Sequence, residues 1–411
     1  MRLPVERSDP VTAPRDVSGL PEGSVSEWGQ YRISLTGPHS HVLTINPGQG
    51  RLVIGGAGMG KKADLHVAAD EAINWSAFDP FITPAGSPWP RHIDYHGNDT
   101  AFFGWSQGRR IEHFCWSPAF AESRSVKADA ANIHSLFLRL DTLPGRLHLT
   151  LPALYNLGLS GDVSRLAAAG EVPAMLALTP RLGRAGEAPY ALPDLGQLHR
   201  ASSVTLGGKP MGRPISLKGL QAFTGLESLS LWGSFADWES LAGLRALRNL
   251  EIRFVPDLAD LPPLDTWPHL DRLIAFNIDE AAGKRLRAQM KMREKLRAWD
   301  DHASVSKLRK PEWWQGEYGR PFSAWNTRMA KAANAAYDAA VTAIATAENA
   351  TDIKAAIVAF ADRFNAMKGI ETTEREDLGE AVVQFCALPR AVALGIDEDA
   401  ALGWFDEVRD Y

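Results

Sequence analysis

Cysteine is nearly absent from this 411-residue chain: there are two, Cys115 and Cys386, far apart and neither at metal-ligand spacing from another. That excludes a disulfide framework and a cysteine-based zinc module, and leaves reduced, buried thiols as the expected state. Long apolar runs are missing too. Nowhere do about 18 uncharged apolar residues follow one another, so no membrane span is expected. The first fourteen residues are polar, carry Pro4, Pro10 and Pro14, and contain no apolar segment of the kind a secretory leader needs. A cytoplasmic protein is the resulting expectation. Charge of one sign is also lacking: the formal net charge of -5 gives no general pull towards nucleic acid or acidic lipid. What is present is an ordinary globular composition, 45% hydrophobic and 23% charged, over a length that implies more than one domain or a stacked array.

Five parts can be read along the chain: an N-terminal extension at 1–26 whose order the sequence leaves open, a β-rich region at 27–130, a repeat region at 131–278, a basic helix and linker at 279–321, and a helical domain at 322–411. In the second part, Tyr31–Leu35, His41–Ile45, Arg51–Ile54, Ala101–Trp105 and Ile111–Trp116 alternate or are β-branched and are separated by Gly/Pro turns, which predicts strands.

The third part carries an apolar-x-x-apolar-x-apolar pattern. It occurs at Ile133/Leu136/Leu138, with Pro144 before Leu147 and Leu149, at Leu154/Leu157/Leu159, Pro173/Leu176/Leu178 and Ala201/Val204/Leu206, and most clearly at Leu226/Leu229/Leu231, Leu247/Leu250/Ile252 and Leu270/Leu273/Ala275. From Leu157 the middle positions advance to 176, 204, 229, 250 and 273, steps of 19, 28, 25, 21 and 23 residues. The two earlier steps, from 136 to 147 and on to 157, are too short for a strand plus a helix and read as tight β-coils. Each copy supplies one short strand whose leucines are buried only by stacking on neighbours. On these residues the chain resembles bacterial leucine-rich-repeat proteins over about 130–280. The resemblance implies an irregular β-solenoid and a non-catalytic role in binding another protein, with an immunity-type or regulatory partner of a bacterial protein as the analogy. It departs from the family pattern where an Asn or Cys usually follows the last leucine: Asp162, Arg181, Lys209, Ser234, Val255 and Ile278 stand there. The fold class expected is therefore α/β, an irregular leucine-rich-repeat-type solenoid after a β-rich region and before a small all-α domain.

The fourth part opens with a helix over Asp279–Trp299 rich in Lys and Arg, with Leu286, Met290 and Leu296 as its apolar stripe, followed by a polar linker with Pro311, Trp313, Trp314 and Pro321. The last part predicts helices over Ala324–Thr346 and Asp352–Met367, a capping box at Thr373/Glu376, and a helix over Glu398–Val408. Its segment Phe364–Glu376 resembles a helical module of actinobacterial repeat proteins, a likeness that implies no activity.

Period-2 alternation sends the residues between the repeat leucines to the concave side of such an array. Ser228, Ser230 and Trp232 share one rung, Asn249, Glu251 and Arg253 the next, and Arg272, Ile274 and Phe276 the last. Trp, Arg and Phe among polar groups have the make-up of a protein interface, so Ser230, Trp232, Glu251, Arg253, Arg272 and Phe276 are the candidate partner-binding residues. The bland alternative is that C-terminal helices cover Trp232 and Phe276. No catalytic residue, metal or cofactor is assigned.

Four motifs point elsewhere. Gly55–Lys62 matches most of a phosphate-cradling loop, but Lys62 stands where Ser or Thr must bind magnesium, so a glycine turn between strands is the stronger reading. Gly104-Trp105-Ser106-Gln107-Gly108 matches the nucleophile elbow of hydrolases, yet the following segment alternates like a strand rather than opening a helix. His92, Asp94 and His96 put three ligand-type side chains on one strand face, but no second cluster supplies a fourth ligand or a catalytic base, so an exposed polar face beside a turn is the stronger reading. The basic helix with Lys307, Arg309, Lys310 and the Trp pair could meet nucleic acid; against it, residues 371–411 carry 11 Asp/Glu and 3 Arg.

Overall fold

A sheet of twelve strands organises the first of two compact units in the computed structural model, which describes residues 13–184 and 186–410. The units divide between Leu308 and Arg309, inside the segment read from the sequence as a linker. The architecture is mixed α/β. The large sheet is parallel from Leu65–His66 and Arg51–Gly55 through His92–His96, Ile111–Ser117, Ile133–Arg139, Asn156–Gly161, Met175–Pro180, Ser203–Gly207, Ser228–Trp232 and Asn249–Val255 to Arg272–Asp279. Ala303–Arg309 lies beyond it at the far edge, and the sheet does not close into a barrel.

Register explains the core. One row runs Leu52, Ile93, Phe114, Leu136, Leu157, Leu176, Val204, Leu229, Leu250, Leu273, and every member is buried. Two residues on, Ile54, Tyr95, Trp116, Leu138, Leu159, Leu178, Leu206, Leu231, Ile252 and Ala275 form a second buried row. Alternation along a strand puts these two rows on one side and the intervening residues on the other. The ladder thus begins well upstream of residue 131, with Ile93/Tyr95 and Phe114/Trp116 as rungs.

Leu147 and Leu149 are not rungs of this sheet. Leu147–Leu151 pairs with Arg124–Lys127 and Leu166–Gly170 in a separate parallel sheet, so the main-sheet step is from Leu136 to Leu157 and the tight β-coils are replaced by a return strand. Farther along, the returns are a second small sheet (Tyr190–Ala191, Ile215–Ser216, Phe235–Ala236) and 3-10 turns at Gly196–Arg200, Leu217–Ala222, Trp238–Gly243 and Leu264–Thr266.

Before the large sheet, Arg15–Asp16 pairs with Gly29–Ile33, which runs antiparallel to His41–Ile45. Part of the N-terminal extension is therefore in a sheet, and Val17 is buried; residues 1–12 lie outside the described residues. Ala101–Trp105, expected as a strand, is instead a helical turn, Phe102–Trp105, leading into Ser106–Gly108. Its aromatics fill the interior: Phe102 stacks on Phe114 at 4.0 Å, and Trp75 meets Tyr95 edge-on at 5.3 Å.

The basic helix spans Glu280–Leu296, N-capped by Asp279. Its arginines are occupied at home: Arg285 donates to Leu258 O at 2.7 Å, Arg287 to Val305 O at 2.9 Å, Arg293 to Leu270 O, and Arg297 pairs with Asp271 and Asp300. Leu286 is buried as expected, but Leu296 is 89% exposed, because the helix ends there and its last turn leaves the core.

The second unit packs Thr327–Ala345, Ala350–Asn365, Thr372–Cys386, Pro389–Ala393 and Glu398–Asp406 around Phe360, Phe364, Leu378 and Phe385. Its capping box falls two residues earlier than expected, with Glu371 N–H donating to the Glu374 carboxylate at 3.1 Å. Pro311 opens a helix, Pro311–Tyr318, where linker was expected, as suits proline at a first helical position.

Candidate functional site

The side of the large sheet opposite the leucine rows presents three rows of side chains. All six residues expected to bind a partner lie on it. Gly207, Trp232, Arg253 and Phe276 are aligned on successive strands, as are Ser230, Glu251 and Ile274, and Ser228, Asn249 and Arg272. Trp232 is 39% exposed; its ring passes 3.5 Å from where a Cβ on Gly207 would sit. Arg253 is fixed on both sides: its Nε donates to the Glu251 carboxylate and its guanidinium stands 5.9 Å from the Phe276 ring. Arg272 pairs with Asp301 at 2.9 Å.

The N-terminal half of the same side holds a second constellation, centred on Asp94. The sequence placed His92, Asp94 and His96 on one strand face, and they are there. What it did not reveal is that Arg51 and Arg139 reach the same carboxylate. Arg51 donates to Oδ2, Arg139 to both oxygens at 3.1 and 3.3 Å, and His96 Nε2 stands 3.3 Å from Oδ1. Asp94 is thereby 3% exposed, while the side chains of Arg51 and Arg139 above it are 61% and 43% exposed. Burial works against its charge, but the bonds from His96 and Arg51 and the positive charge of Arg139 outweigh it and hold the carboxyl well below the usual range. Next in the row, burial and the neighbouring Asp94 push the Cys115 thiol up to about 12.

This arrangement answers the metal reading. Asp94's oxygens are taken by cations, and His92 pairs with Glu112 at 3.4 Å. Among the described residues no group of three or more His, Cys, Asp or Glu could hold a metal ion.

Ser106 cannot serve as a nucleophile. It is fully buried and its hydroxyl donates to Phe103 O at 2.8 Å. The turn around it is clamped by the buried Arg109, which donates to Phe78 O at 2.9 Å and to Trp89 O while lying 4.9 Å from the Trp105 ring. Gly55–Lys62 forms the end of a strand and a 3-10 turn, Ala57–Lys62, between parallel strands, with no long helix for a phosphate to sit upon. In the candidate nucleic-acid footprint Trp314 is buried, and Trp313 is engaged by Trp314 at 4.8 Å and by Arg309 at 4.1 Å.

One cleft off the sheet is lined by Asp70, Asn98, Asp99, Glu122 and Arg124. Several of its polar groups are engaged: Asn98 donates to Asp70 at 2.7 Å, Arg124 to Glu122 at 3.1 Å, and Asp99 accepts from Trp75 at 2.6 Å.

Comparison of the chain with protein-family models, with curated proteins and with solved structures found no match. Among the described residues, no helix is long and apolar enough to cross a membrane.

Proposed function

We propose that the chain is a leucine-rich-repeat-type solenoid of the cytoplasm that works as a non-catalytic scaffold, binding another protein on the side of the sheet opposite the leucine rows. The in-register leucine rows, with short returns between strands, support the solenoid assignment. The observation that carries the binding role is the aligned row Gly207–Trp232–Arg253–Phe276, with a half-exposed Trp and an Arg held in place by Glu251 and Phe276. Pre-ordered Trp and Arg lose little freedom on association and dominate protein interfaces energetically. An immunity-type or regulatory role towards a bacterial protein is the biological form this reading takes.

The test is site-specific cross-linking in extract of the native organism. A photoreactive phenylalanine analogue replaces Trp232 in one protein and Glu239, which is exposed in the turn Trp238–Gly243, in another. A protein adduct specific to position 232, and lost when Arg253→Glu is added, is the expected result. Identical adducts from both positions, or none from 232, would overturn the assignment.

A further inference from the structure

The scaffold reading leaves the partner's chemistry open, and the other end of the same face bears on it. From Arg51–Gly55 to Met175–Pro180, this side of the sheet carries Arg51, Asp94 and Arg139 at its centre, with His92, His96 and His113 among them and Glu112 reaching His92 at its rim. Asp94 is buried beneath the two arginines, and Glu112 is engaged by Arg91 at 3.3 Å and His92 at 3.4 Å. Each arginine uses a single terminal nitrogen on Asp94, and their side chains are 61% and 43% exposed. A guanidinium anchored on one nitrogen offers its remaining N–H groups in a fixed fork, the geometry that carboxylates accept.

Beside them lies a group of three rings. His92 and His113 are 5.8 Å apart, and His113 stacks on Phe137 at 4.5 Å with an interplanar angle of 21°. Phe137 fills the space that a side chain at Gly158, its register neighbour, would need. Beyond it the face turns small and neutral, with Ser160, Ala177 and Thr179, so the positive charge is local.

We infer that this end of the face docks an acidic, aromatic-bearing segment of a partner protein. Its carboxylates meet Arg51 and Arg139 while its ring lies on His113 and Phe137. A nucleic-acid strand is the less suitable occupant: it needs cations repeated along its phosphates, and here they are confined to one cluster. The inference rests on the scaffold reading.

The experiment measures binding of a fluorescein-labelled peptide of four glutamates around one tyrosine to the full chain. A lysine-for-glutamate peptide and a 15-nucleotide oligothymidine serve as comparisons. Removing the arginines alone would leave Asp94 buried without partners. The variant is therefore Arg51→Gln/Asp94→Asn/Arg139→Gln, a neutral hydrogen-bonding set whose folding is checked by thermal unfolding. Expected are preference for the acidic peptide, loss of that binding with added salt, and at least a roughly tenfold weakening in the variant. No binding, equal binding of the lysine peptide, or no change in the folded variant would overturn the inference, and preference for the oligonucleotide would replace it with nucleic-acid binding. Trp232→Ala leaves the acidic peptide bound. A position-232 adduct in the cross-linking experiment without peptide binding would reject the acidic partner alone and leave the scaffold standing.

Discussion

The ring of Phe137 occupies the space that a side chain at position 158 would need: a Cβ on Gly158 would stand 2.2 Å from Cδ1 of Phe137. The two are register partners on adjacent parallel strands. Gly158 is thus required for room on the sheet face. Gly158→Ala is expected to displace Phe137 and cost about 1–3 kcal/mol. In a double-mutant cycle with Phe137→Ala, denaturant unfolding should give less than the sum of the single effects. Additive costs would show that the two residues do not contend for that space.

The carboxyl of Asp94 has its affinity for protons lowered by folding. Its contribution to stability is therefore in full force above the ordinary carboxylate range, and is lost as pH falls from there through the depressed folded value. Asp94→Asn should be less stable than the parent at neutral pH, with the gap in melting temperature narrowing in acid. A gap that is constant from neutral pH to strongly acidic pH would mean that the carboxylate's charge contributes nothing.

With its thiol pushed up to about 12 and its side chain covered, Cys115 should be inert in the native protein. At pH 8 the thiolate fraction of such a group is about one in ten thousand. Cys386 is also buried, with a thiol raised by burial. Titration with a disulfide thiol reagent should register neither thiol until denaturant is added, and then both.

Adjacent rows of one rung should respond oppositely to truncation. Leu250 is 1% exposed in the buried ladder, so Leu250→Ala is expected to cost about 2–5 kcal/mol in chemical unfolding. Trp232→Ala, on the open side, should cost about 1 kcal/mol or less while weakening binding of the partner that the cross-linking identifies.

Legibility in the sequence followed the distance over which the physics acts. The rungs at Leu229, Leu250 and Leu273 were readable because each is a local pattern of leucines with one strand apiece. Those at Ile93/Tyr95 and Phe114/Trp116 were not, because aromatics replace leucine where the interior must also hold Trp75 and Phe102. Leu147 and Leu149 misled because alternation marks a strand without saying which sheet it joins. The Asp94 cluster was half visible. Its histidines are two residues away, whereas its arginines lie 43 and 45 residues off along the chain and arrive only through register. The basic helix left nucleic acid standing as the less favoured alternative because composition does not reveal that Arg285, Arg287 and Arg293 end on main-chain carbonyls.

Parallel pairing in strict register turns the sheet into a ruler graduated in rungs of about 4.8 Å. Trp232, Arg253 and Phe276 mark three consecutive graduations. Excising the stretch from Ser230 to Leu250 removes one whole graduation: Leu229 takes over the partners of Leu250, and every later side chain keeps its side. Losing a single residue instead turns every residue of that strand over, leucines to water and Arg253 to the core. Within the strands, only the gain or loss of whole rungs keeps every side chain on its side, and the reach of the open face changes in the same steps.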